Sequence, residues 1–203
     1  MKERCGMSFS AEVKEELGIE DEVEVDATNL PLTFVNTNNI GNVPIAIASL
    51  KQEAMLMLEL SQKNINDSID ALYKVFPEAK EKVGKREDRV NFINYEVAEY
   101  MSKVSTLHMN ATESDICNSL YKCFADIERI SDHAINIVGH GNGKIKKPTY
   151  IEKELIELKE LLNKNFEILM ASELNEERLK SLNEFEQQVD DLTAIYRQNQ
   201  INR

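Results

Sequence analysis

The stretch NVPIAIASLKQEAMLMLELSQKNINDSIDAL, residues 42–72, sets the architecture. Asn42 is a residue that caps helices through its side chain, and Pro44 falls in the first turn, where its missing N–H costs nothing. Behind them Ile47, Leu50, Ala54, Leu58, Ile65, Ile69 and Leu72 recur close to the 3.6-residue period. The spacing predicts one long helix with a single apolar stripe, stopped by Pro77.

The same period continues downstream. A second helix is expected from near Glu78 to near Ser105, carrying Val83, Val90, Phe92 or Ile93, Val97 and Met101. Thr112 is expected to cap a third helix, with Glu113 and Asp115 in the first turn, where the helix dipole favours acids. Its stripe reads Ile116, Leu120, Cys123, Ile127, Ile130, Ala134, Ile137 and Val138, until Gly139, Gly141 and Gly143 break it. Pro148 opens a fourth helix with Ile151, Leu155, Leu158, Leu162, Phe166 and Leu169. Asn175 opens a fifth with Leu179, Leu182, Phe185, Val189, Leu192 and Tyr196. Long helices with short connections make an all-α, up-down helical bundle.

Upstream, residues 1–40 differ. Ser10 is a cap for a short helix that ends at Gly18, and Glu12 to Asp26 holds eight acids against one Lys. That run reads as an acidic linker, with a short edge strand at Glu20 to Val25 as the alternative. Thr28 to Gly41 is an Asn-rich connector. The domain reading is therefore an acidic segment and linker over 1–40 and a helical domain over 41–203.

Composition removes several function classes. A net charge of −12 offers no basic stripe to displace counterions from a nucleic acid, so no nucleic-acid partner is expected. No apolar run is long enough for a membrane span, and the N-terminus lacks a signal-peptide core. Cys5, Cys117 and Cys123 are too few and too scattered for a disulfide frame. A di-metal carboxylate oxidase would need a Glu-x-x-His motif, and none occurs. No catalytic residue is assigned, and the chain is not expected to be an enzyme. Met55 and Met57 read as core filling, and His133 as a surface residue.

Three i,i+4 pairs remain: Glu87 with Asn91, Glu128 with Asp132, and Glu186 with Asp190. Residues four apart stack on one helix face, so two carboxylates can share a cation through oxygen. Taken alone, each pair reads first as solvated surface. On a helical wheel the core of the third helix centres between Ile127 and Ala134. Glu128 and Asp132 then lie roughly 110° to 150° away, which argues against a site inside the bundle core.

These residues carry a resemblance. Asp126-Ile-Glu128-Arg129-Ile-Ser-Asp132-His133-Ala-Ile-Asn136 resembles the E-R-x-x-D-H-x-x-N signature on the third helix of a PhoU repeat. Glu87 to Asn91 and Glu186 to Asp190 resemble the E-x-x-x-D signature on its second helix, and the likeness spans roughly Val43 to Arg203. The leader from Leu30 to Ile47 is similar to the segment entering the PhoU domain of bacterial sodium-dependent phosphate cotransporters. The resemblance implies a first three-helix repeat at 42–143 and a partial second at 148–203. It also implies control of phosphate uptake from the cytoplasmic side of the membrane. Metal ions, divalent or iron-type, would be held by Glu87, Glu128, Asp132, Glu186 and Asp190. Asn91 departs from the pattern as a neutral amide, and the second repeat lacks its third helix. The stripes of helices four and five therefore need another partner: more of the chain, or a second copy in a homodimer. The implied main partner is the membrane-transporter portion of the same protein. A free-standing phosphate-signalling regulator and a metal-free dimerisation module are the alternatives.

Overall fold

Asn42 starts the first helix as its sequence requires: its Oδ1 accepts the N–H of Ile45 at 3.2 Å, with proline in the first turn. In the computed structural model, which describes residues 31–36, 40–141, 149–171 and 176–202, five helices follow in order. They are α1 (Val43–Tyr73), α2 (Ala79–Val104), α3 (Ala111–His140), α4 (Thr149–Leu169) and α5 (Glu176–Ile201). Among the described residues there is no strand. The protein is all-α, as the periodicity requires. The N-terminal acidic run with its helix or edge strand, Gly143, Pro148 and Asn175 lie outside the described residues.

The described helices fall into two units. In the first, α1, α2 and α3 pack on one another around a single core. Leu50 and Met57 from α1, Val83, Val90, Ile93 and Val97 from α2, and Phe124 and Ala134 from α3 are its sealed side chains. Each fully buried aliphatic or aromatic side chain there contributes about 1.5–3 kcal/mol relative to exposure. Ile93, not Phe92, takes the core position on α2, and on α1 Tyr73 is buried where Leu72 is only half-buried. The second unit contains the α4–α5 hairpin, whose two helices pack on each other. Tyr196 Oη donates to Glu157 at 2.7 Å across it. Phe166 is the one buried side chain among the described residues of this pair.

α3 departs from expectation at both its start and its core line. The cap is Asn110 rather than Thr112. Its Oδ1 accepts the N–H of Glu113 at 2.9 Å, and the Glu113 carboxylate accepts the N–H of Asn110 at 2.9 Å. This reciprocal box satisfies two end-of-helix donors, which a lone Thr112 could not. The buried line runs through Cys117, Phe124, Ile127, Ser131, Ala134 and Val138. Ile116, Leu120, Ile130 and Ile137 are only half-buried, and Cys123 is exposed. At 100° per residue the core direction is rotated by about 50° from the expected stripe, toward Ser131 and Glu128.

A polar seam causes the rotation. α1 and α3 run parallel and close, and Ser61 Oγ reaches the Met57 carbonyl at 2.9 Å and the Ile127 carbonyl at 3.3 Å. One heptad later Ser68 Oγ reaches the Asn64 carbonyl at 2.6 Å and the Ala134 carbonyl at 2.8 Å. Small hydroxyl side chains let the two backbones approach while their own protons stay bonded. Gly141, just past α3, extends the close approach: a Cβ there would lie 2.9 Å from the Ala71 carbonyl oxygen.

Candidate functional site

Between the two serines of the seam sits Asn64, fully buried. Its Nδ2 donates to Ser131 Oγ at 2.8 Å, and Ser131 donates in turn to the carboxylate of Glu87 on α2. The Oδ1 of Asn64 is buried without a hydrogen-bond partner. Three helices thus each supply one member of a chain, Asn64 to Ser131 to Glu87. It begins in the core and ends at a carboxylate that is only 6 % exposed.

Glu87 does not sit alone at the end of that chain. Burial pushes its carboxyl above the ordinary value, and the nearby negative charges of Asp132 and Glu128 push the same way. Hydrogen bonds from Ser131 and Asn91 oppose the rise by favouring the charged form. α2 and α3 therefore bring three of the five expected acids together: Glu87 buried, Glu128 half-buried and Asp132 exposed. They form a graded approach from solvent to core. The expected distance of Glu128 from the core is corrected here, because the rotated core line of α3 carries it to the edge of the buried face. The solvated reading of the Glu87–Asn91 pair is corrected too, since Glu87 lies inside the bundle edge.

Asn91, the departure from a doubly acidic pair, has a local physical role. Its amide donates to Glu87, whereas an aspartate in its place would add a fourth negative charge to the group. Glu186 and Asp190 are on α5, both exposed, and belong to the α4–α5 unit rather than to this cluster. His108, His133 and His140 are all exposed. Among the described residues, no three His, Cys, Asp or Glu side chains already converge on a point that would hold an ion. The donor set nevertheless has the chemistry of a hard-cation site, since carboxylate, amide and hydroxyl oxygens are what such cations take.

Residues 54–139 match the PhoU domain. That span holds Asn64, Glu87, Asn91, Glu128, Ser131 and Asp132, and hence the whole acidic cluster and its polar support. The PhoU match stops short of α4 and α5 and of Glu186 and Asp190. Comparison with curated proteins and with solved structures gave no match. No helix among the described residues is long and apolar enough to cross a membrane.

The sequence reading missed a second cluster of buried charge. Glu53 on α1 is fully buried, and Arg89 on α2 nearly so. The signal was present: Glu53 falls on the line Leu50, Met57, Ser61, Asn64, Ser68, so a charged residue occupies a core register of an amphipathic helix.

Proposed function

We propose that the chain is a PhoU-type regulatory domain which controls phosphate uptake by a sodium-dependent phosphate cotransporter, acting on the cytoplasmic side of the membrane. The observation that carries the regulatory reading is the gathering of Glu87, Glu128 and Asp132 on adjacent helices within the PhoU match. In this reading these residues hold a divalent or iron-type cation, with Glu87 oriented by Ser131 and Asn91. A cation held there would supply positive charge to offset the three acids. Glu186 and Asp190 are a second, weaker ligand pair on α5. No bond-making chemistry is assigned. The similarity of the leader at Leu30 to Ile47 supports the transporter context, and the membrane portion of the same protein is then the partner that the domain biases.

The test is metal content of protein purified without chelator, compared with a Glu128→Ala, Asp132→Ala double variant. Stoichiometric metal that the double variant loses supports the reading. Equal metal in both, or none in either, removes the cation from it. A second reading, homodimerisation through α4 and α5, is favoured by exposed apolar residues there, including Leu179 at 51 % and Ile195 at 55 %. The mass in solution separates them, because a metal-free dimer would support the second and a metal-loaded monomer the first.

A further inference from the structure

Residues 31–36 form neither helix nor strand, yet they are tightly engaged. Leu32 and Val35 bury their side chains at 8 % and 6 % exposure. The carboxylate of Glu53 accepts the N–H of Thr33 at 3.3 Å and that of Phe34 at 2.8 Å. Arg89 Nη2 donates to the carbonyl of Pro31 at 2.8 Å, and its guanidinium lies 5.2 Å from the Phe92 ring. Two buried charges of opposite sign, one from α1 and one from α2, thus attract each other and both bond one short piece of backbone.

We propose that residues 31–35 are a releasable strap, locked onto the α1–α3 unit by Glu53 and Arg89.

The reason lies in the economics of buried charge. Helix side chains in a core normally satisfy one another. Here the strap adds to the attraction between a carboxylate and a guanidinium: consecutive N–H groups for the anion and a carbonyl for the cation. Partial lifting of the strap is the worst arrangement, since it strips the charges of peptide partners while leaving them under apolar cover. Complete lifting returns both to water and uncovers Leu32 and Val35 together. The strap is therefore either seated or off, which makes it a two-state element rather than a frayed end. Burial pushes the Glu53 carboxyl up, while the N–H groups of Phe34 and Thr33 and the Arg89 charge favour its ionised form. Arg89 is two residues from Glu87 on α2, so the seated strap and the acidic cluster are fixed to the same turn of one rigid helix.

Amide hydrogen exchange on the full chain tests this, with Glu53→Gln as the first variant. Glutamine keeps the size but loses the charge and one of the two acceptor oxygens. Exchange at Thr33, Phe34 and Val35 should rise at least about tenfold, as expected for loss of a charge-assisted bond. Amides of α1 between Leu50 and Ile69, and of α2 between Val90 and Val97, should keep their protection. Leu32→Ser, which alters the strap and leaves both helices intact, should give the same local pattern and serves if Glu53→Gln does not fold. The proposal is overturned if the strap amides exchange at unprotected rates in the unaltered protein. It is equally overturned if they exchange only in step with α1 and α2 in every variant, because the strap would then be ordinary core with no open state of its own.

Discussion

The α1–α3 unit and the α4–α5 hairpin are written in the same apolar period, but they end at opposite extremes of burial. α1 places fifteen residues out of solvent, whereas no residue of α5 is buried. The difference is in number of faces covered. Among the described residues, a helix of the three-helix unit meets two neighbours and a helix of the hairpin meets one, so much of its stripe stays wet. A regular stripe therefore predicts that a helix forms, but it does not say how deeply that helix is covered.

Truncating the most deeply sealed residue should give the largest effect. Leu50→Ala should cost about 2–5 kcal/mol in urea unfolding, because Leu50 has no exposed surface and the cavity cannot refill. Ser131→Ala should come next. It takes one of two donors from Glu87 and the acceptor from the buried Asn64 amide, at about 1–3 kcal/mol for the amide left alone. Ser181→Ala, its counterpart on α5, where Oγ bonds only the Glu177 carbonyl one turn back, should stay within about 0.5 kcal/mol. Gly141→Ala should cost about 1–3 kcal/mol, since the new methyl must push against the Ala71 backbone. Leu179→Ala on the hairpin should sit within about 0.5 kcal/mol. A loss there as large as that of Leu50→Ala would break the comparison, because it would mean the α5 face is covered in solution.

The acidic cluster adds a pH-dependent contrast. The folded Glu87 carboxyl lies above its ordinary value of 4.5. A raised acid stabilises the fold fully below the ordinary value, and that contribution is lost as pH rises through the raised one. In chelator, Glu87→Gln should therefore show a smaller fall in Tm between acid and neutral pH than the unaltered protein. Identical profiles for Glu87→Gln and the unaltered protein would mean that Glu87 feels neither burial nor its acidic neighbours.

Much of this was legible in the residues, for stated reasons. Asn42 and Pro44 fixed the start of α1 because cap and proline act locally. Thr112 was the wrong cap because two cap-forming residues stand close together. The spacing Asn110-x-x-Glu113 was the stronger signal, and it depends on a reciprocal bond rather than on residue type alone. The α3 core line was misplaced because Ser131 counts as polar in any pattern, although hydrogen bonds to Asn64 and Glu87 make it a core residue. The acids Glu87, Glu128 and Asp132 were found as motifs, but their gradation from buried to exposed needs two helices in register. The Glu53–Arg89 lock draws on three separate segments, and no single-helix period could assemble it.

The serine seam has a consequence for how the chain acquires its fold. Ser61 meets Ile127 and Ser68 meets Ala134, each pair 66 positions apart along the chain. Contacts of such sequence separation close late, after the loop entropy between them has been spent. While the polypeptide is being made, α1 and α2 can form a hairpin early. The hydroxyls of Ser61 and Ser68 and the amide of Asn64 then still face water, until α3 is complete. The last helix of the trio is thus the one that commits the first to its final register, and an interruption of synthesis within α3 leaves a hairpin with a polar line on the face meant for the core.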